Sequence, residues 1–237
     1  METRWSLVMK ATDKDERASA MDAMGKLYQA YWYPLYAFVR RKGWREEEAK
    51  DQTQIFFQRM IEQDFLAQAD KERGKLRTFL LTALQRQLAN AAEAAQARKR
   101  GGGQEFVSLD MTDAEGRYQI DPADAAATPE MVFDKAWAML MLETAVDRLG
   151  SNLPPEEFAA LKPMLTMNSK TETTYADISA KLGITEDSVR QKVSRLRKRL
   201  PIELRTVVTD SLQNPTDEAV DEEIACLRAA LRGDSVN

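Results

Sequence analysis

Pro34 is the only proline in the first hundred residues, and apolar side chains recur there every three or four positions. So long a stretch with that period and so few breakers constrains the chain to amphipathic helices packed against one another. One helix is expected over roughly Ala18 to Tyr31, with Leu27 and Tyr31 four apart. Pro34 is expected to start or bend a second through Leu35, Phe38 and Val39, which stops near Gly43. A third follows Trp44 as "REEEAKDQTQIFFQRMIEQ", its three leading glutamates suiting the positive end of a helix. After a turn-rich break around Gly74, "LRTFLLTALQRQLANAAEAAQARKR" makes a fourth, ended by Gly101 to Gly103.

From Gly101 to about Glu130 the chain turns to Gly, Asp, Pro and Thr, which reads as a linker with a short extended piece at Phe106 to Leu109. Helices resume at "MVFDKAWAMLMLETAVDRLG", with Phe133, Trp137, Leu140 and Val146 on its apolar face. "LPPEEFAALKPML" starts another, Pro154 and Pro155 lying near its first turn. Two short helices divided by Gly183 follow, then an acidic tail with an amphipathic segment, "EEIACLRAALRG". The expected fold is all-α: a helical domain over residues 1–103, a flexible linker over 104–130, a second helical domain over 131–209 and an acidic extension over 210–237. The extension reads as a solvated tail; its charge would also suit it to mask a basic helix.

Several chemistries are excluded by what is missing. The chain has no histidine, and Cys226 is its only cysteine, so neither His-based acid–base chemistry nor a Cys/His zinc site is available. No metal site, cofactor site, Gly-rich phosphate loop or activated nucleophile is found, and an enzyme is not expected. Without an intrachain disulfide, a signal peptide or a membrane span, the chain reads as a cytoplasmic protein that does not engage a membrane.

Against a net charge of −4, the segment "DSVRQKVSRLRKRL" from Asp187 to Leu200 concentrates six basic residues. Ile178 and Leu182 lie four apart on the preceding helix, Gly183 permits a sharp turn, and Thr185 is a good N-cap. Val189, Val193, Leu196 and Leu200 then form one apolar stripe. At about 100° per residue the opposite face is centred on Gln191 and Lys198, with Asp187, Ser194 and Arg195 beside them. Arg190, Lys192, Arg197 and Arg199 flank it. This is a helix–turn–helix whose second helix suits a major groove, Gln and Arg reading base edges while the flanking cations grip phosphates. The competing reading is a solvated basic helix that closes a bundle. Glu186 and Asp187 would face phosphates poorly, although they complement the helix dipole.

A second basic cluster ends the fourth helix. Gln85, Arg86, Gln87 and Asn90 share that helix with Arg98, Lys99 and Arg100, and two cationic helices joined by a linker suit two contacts on one extended polyanion. For Arg98 to Arg100 alone, favourable charge at a helix C-terminus explains as much. Most of Tyr31, Trp32, Tyr33, Tyr36 and Phe38 are expected in the core. Adjacent Phe56 and Phe57 cannot share one helix face, which suggests that one of them meets a partner.

In this order the parts resemble the small, two-domain bacterial sigma factors of the extracytoplasmic-function (ECF) type. "YWYPLYAFVRRKG" is similar to the first helix of their N-terminal domain. "EEEAKDQTQIFFQRM" resembles the helix that docks on the polymerase clamp, with Asp51, Gln54, Phe57 and Arg59 at its D-x-x-Q-x-x-F-x-R positions. "LRTFLLTALQRQLANAAEAAQARKRGGG" resembles the promoter-melting helix, and "LPPEEFAALKPML…YADISAKLGITEDSVRQKVSRLRKRL" resembles the second sigma domain. The likeness runs from about Trp5 to Arg205.

The resemblance implies a dissociable subunit that binds the clamp and flap regions of core RNA polymerase and directs it to promoter DNA. The outward face from Thr185 to Lys198, including Asp187, Ser188, Arg190, Gln191, Ser194 and Arg195, would read the minus-thirty-five element as duplex. The N-terminal domain, through Lys75, Arg77, Arg86, Asn90, Arg98, Lys99 and Arg100, would bind and help open the minus-ten element. The loop "DFLAQADKERGK" lies where such proteins capture an unstacked base. An anti-sigma factor is a further partner that the resemblance allows. The chain departs from the pattern at Gln52 and Ile55, in the long polar "MNSKTETT", in Pro201, expected to interrupt the recognition helix, and in the tail from Asp210. The alternative is a freestanding helix–turn–helix repressor or activator, whose N-terminal domain would usually be a ligand pocket or dimer interface.

Overall fold

The computed structural model describes residues 17–62, 75–97, 115–118, 126–165, 173–212 and 215–234, and among them it is all-α. Its helices in chain order are α1 (Arg17–Arg41), α2 (Glu46–Glu62), α3 (Leu76–Ala97), α4 (Pro129–Gly150), α5 (Pro155–Leu161), α6 (Tyr175–Leu182), α7 (Glu186–Thr209) and α8 (Asp217–Arg232). A 3₁₀ turn at Lys162–Met164 follows α5, and residues 115–118 make one helical turn. The break around Gly74 (apart from Lys75), Phe106 to Leu109, and Arg98 to Gly103 lie outside the described residues.

Pro34 divides nothing: α1 runs through it to Arg41. Proline removes one hydrogen bond, to the carbonyl of Ala30, but Leu27, Tyr31, Leu35 and Phe38 on either side are all buried and hold the helix in register. Gly43, at φ 95°, ends the passage into α2. Pro201 likewise sits inside α7, which continues to Thr209, so the expected interruption does not occur. Thr128 accepts from the Met131 N–H with Pro129 at the first helical position, and Pro155 opens α5.

Two clusters of buried side chains organise the described residues. The first joins Leu35, Phe38, Phe56, Leu80 and Leu84 from α1 to α3 with Phe133 and Trp137 from α4, Val207 and Val208 from the end of α7, and Leu227 from α8. The second joins Val146 and Leu149 with Leu161, Ile178, Val189, Val193 and Leu196. Helix α4 therefore spans both, its first half in one cluster and its last turns in the other. The aromatics expected in the core are there: Tyr31, Trp32, Tyr36 and Phe38 are buried and Tyr33 packs against them.

The acidic extension is no solvated tail. Val220, Glu223, Leu227 and Ala230 of α8 are buried against α4 and the end of α7. Ahead of α4, the turn at 115–118 is pinned to α1: Tyr36 donates its hydroxyl proton to Glu115, and Arg40 bonds both oxygens of that carboxylate at 3.0 Å. Burial, then the hydrogen bond to Glu115 and its charge, raises the Tyr36 pKa well above the ordinary phenol range.

One close approach gives a direct stability test. A Cβ built on Gly150 would lie 2.4 Å from the Phe158 ring. Gly150→Ala is expected to cost about 1–3 kcal/mol, because the ring must swing out of the second cluster to make room. Chemical denaturation measures it, and a neutral or stabilising result would mean that the α4–α5 junction is looser than this.

Candidate nucleic-acid interface

Helices α6 and α7, joined at Gly183, are the two helices of the expected helix–turn–helix. Thr174 and Asp177 form a capping box at the start of α6, the Thr174 side chain accepting from the Asp177 N–H while the Asp177 carboxylate accepts from the Thr174 N–H at 2.8 Å. The Thr174 hydroxyl and N–H hold the Asp177 carboxyl below its ordinary pKa. Gly183, at φ 64°, makes the left-handed C-cap that lets the chain turn, and Thr185 caps α7 by accepting from the Ser188 N–H. Ser179 donates to the Ile184 carbonyl at 2.6 Å and ties the turn to α6.

Along α7 the predicted stripe faces inward: Val189, Val193 and Leu196 are buried and Leu200 packs beside them. The flanking cations are engaged within the fold. Arg190 pairs with Glu186 and Asp187 and lies over the Tyr175 ring, and Lys192 reaches Glu157 at 2.7 Å. Arg197 donates to the Met164 carbonyl, and Arg199 meets Glu203 at 3.4 Å. Four outward side chains differ. Gln191, Ser194, Arg195 and Lys198 are exposed and have no hydrogen-bond or ion-pair partner among the described residues. They follow one another at i, i+3, i+4 and i+7, so they form a single free polar and cationic face one side chain wide. Thr185, Asp187 and Ser188 lie at its N-terminal end, Thr185 and Ser188 bonded to each other.

In the N-terminal helices the candidate residues scatter. Arg86 and Asn90 are exposed on α3, while Arg98, Lys99 and Arg100 lie outside the described residues. Lys75 and Arg77 are drawn inward. Arg77 donates from Nη1 to Asp134 and from Nε to Glu223, both at 2.6 Å, and its guanidinium lies 4.8 Å from the Trp137 ring. Lys75 pairs with the same Glu223 at 2.8 Å. The Glu223 side chain is 1% exposed and that of Arg77 12%. Burial lifts the Asp134 carboxyl above its ordinary pKa although Arg77 pulls the other way.

On α2, Asp51 and Arg59 are exposed, and Gln54 is half-buried. Burial, then Glu47 and Glu48, raises the Asp51 pKa. Phe57 is not at the surface. It is 3% exposed and packs on Tyr28 and Trp32, with ring centroids 4.9 and 6.1 Å away, while Phe56 is buried as well. The expectation that one of the two meets a partner is corrected. Helix α2 packs on α1 and on α3, so two of its faces are interior. Around Glu223 the sequence did hold a signal: an acid three residues after Val220 and four before Leu227 lies on the apolar face of its helix.

Compared with known protein families, residues 12–206 match the family model described as ECF sigma factor. No curated protein and no solved structure matches the chain. No helix among the described residues is long and apolar enough to cross a membrane.

Proposed function

The chain belongs to the ECF sigma factor family, whose members are transcription-initiation factors that bind core RNA polymerase and promoter DNA, and on that premise we propose how its residues divide the work. Residues 131–209 act as the duplex reader of the minus-thirty-five element and residues 1–103 as the minus-ten and polymerase-binding part, with 104–130 as the linker between them. The observation that carries this reading is the free face of Gln191, Ser194, Arg195 and Lys198 on a capped, buried-stripe helix. Side chains that the fold already uses cannot turn to a base edge without breaking bonds, and these four need break none. Arg190, Lys192, Arg197 and Arg199 serve instead to stiffen the helix and to set a positive rim.

Helix α2 supplies the polymerase contact through its exposed groups. Asp51, Gln54 and Arg59 stand at or near the surface, whereas buried Phe57 acts from behind, fixing the helix against Tyr28 and Trp32. The N-terminal domain also melts the minus-ten element, and the cations of α3 hold the displaced strand there.

Purified chain is expected to co-elute with bacterial core RNA polymerase, and the double variant Asp51→Arg, Gln54→Arg is expected to lose that co-elution. Asp51 is exposed and Gln54 half-buried on α2, so a melting curve of the variant is taken beside the co-elution and only a folded variant counts. Retained co-elution in the variant would move the contact elsewhere. A wild-type chain that ignores polymerase yet binds an operator duplex tightly by itself would favour a freestanding regulator.

A further inference from the structure

Helix α8 lies beyond the residues that match the family, yet it makes the most buried ionic contact among the described residues. Its N-terminus is capped by Thr216 and its C-terminus by Gly233 at φ 82°, so it is a defined helix with definite ends. Three of its buried side chains, Val220, Leu227 and Ala230, dock on the first cluster, and Glu223 sits among them. One Glu223 oxygen takes Lys75 and, at 3.5 Å, an Arg77 Nη; the other takes Arg77 Nε, while the second Arg77 Nη goes to Asp134 of α4. A second, exposed anchor ties Asp217 and Asp221 to Arg205 on α7. The chain just before α3 is further held by a bridge between Lys75 and Leu212.

We infer that α8 is an intramolecular strap, its Glu223 carboxylate occupying a cation pair, Lys75 with Arg77, that binds a backbone phosphate of a DNA strand once the strap leaves. The inference rests on the reading that the N-terminal helices contact DNA, and it adds what occupies that contact in the free chain. A carboxylate bridging a lysine and an arginine reproduces the charge and the two-oxygen geometry of a phosphate. The strap also bears on spacing. Elements named ten and thirty-five positions from the start lie about 25 base pairs apart, or about 85 Å at about 3.4 Å each. A compact chain of this length has a radius of gyration of about 18 Å. With α8 stapling the start of α3 to α4 and to the end of α7, the two readers stay together; releasing it is a step towards their separation.

The balance of forces makes the strap releasable. Burial of Val220 and Leu227 holds the helix down, and ordering its 16 residues opposes that. The ion pairs decide the outcome: Arg77 keeps Asp134 when Glu223 leaves, but Lys75 loses its carboxylate and Arg77 loses one of two, and both gain from another anion. DNA supplies that anion.

The test uses the full chain, Glu223→Gln, and Glu222→Gln as a control that removes the same charge from an exposed neighbouring position. Binding of a fluorescent, mixed-sequence single-stranded oligonucleotide is measured across salt, and amide exchange is followed in α8. Glu223→Gln is expected to bind about tenfold more tightly at low salt, with a log–log salt slope steeper by about 0.7, the value for one cation on a single strand, since Lys75 is freed outright while Arg77 keeps Asp134. Its α8 amides exchange faster, and the control moves neither quantity. Leu227→Ala, which loosens the strap from its apolar side and leaves every charge in place, is expected to change affinity and exchange in the same direction. That second variant decides the matter should Glu223→Gln fold poorly. Faster exchange in α8 with affinity and slope no different from the control would overturn the inference. A chain that fails to bind polymerase, by contrast, removes the sigma reading and leaves the oligonucleotide slopes to judge the strap.

Discussion

With Arg195 and Lys198 both replaced by glutamate, capture of a promoter duplex by the polymerase complex is expected to fall by about a hundredfold or more. Both side chains are exposed and unpartnered among the described residues, so the native attraction each would lose is to DNA alone. One base-edge or phosphate contact is worth about 1–3 kcal/mol, and reversing the charge adds repulsion to the loss. Because these two stand on the base-reading face, discrimination between promoter and unrelated duplex is expected to fall with the affinity. Stability should stay within about 0.5 kcal/mol, since neither side chain packs against the fold. Electrophoretic mobility shift of the complex on duplex DNA, with a melting curve of the free variant beside it, gives both numbers. Unchanged DNA capture by a folded variant would place the duplex reader somewhere other than α7.

The second large effect is on stability. Trp137→Ala is expected to cost about 3–5 kcal/mol, the range for deleting a fully buried large aromatic. Trp137 is 1% exposed and packs in the first cluster, and its ring carries the Arg77 guanidinium on one side. Its removal therefore opens a cavity and withdraws a cation–π contact from a charge with little access to water. Trp137→Phe keeps a ring there and should lose distinctly less. Since small domains are stable by about 5–15 kcal/mol, the alanine variant should melt far earlier than the parent. A loss under about 1 kcal/mol would show that α4 does not pack on the N-terminal helices in solution.

Much of the site could be read from the chain because it depends on short-range rules. The Val189, Val193, Leu196 stripe sets which side of α7 faces inward, so Gln191, Ser194, Arg195 and Lys198 had to face outward. Thr185 and Gly183 bound that helix for equally local reasons, a side-chain acceptor and a left-handed backbone. Local rules failed where packing outweighed them. Pro34 and Pro201 each remove a hydrogen bond and crowd the carbonyl four residues back, but Tyr31, Leu35 and Phe38 are buried around the first and Leu196, Val207 and Val208 on either side of the second, so neither helix breaks. Phe56 and Phe57 cannot share a face, yet both are buried, because helices pack on α2 from two directions.

By itself the sequence determined the all-α fold, the capped helices α6 and α7 and the outward face of α7, because helical period and capping act within a few residues. Only the tertiary structure decided that Lys75 and Arg77 meet Glu223, almost 150 positions away, and that the acidic extension is a docked helix. An ion pair between distant segments has no period to announce it. It forms because a buried charge must find an opposite one, and only the packed fold determines which lies within reach.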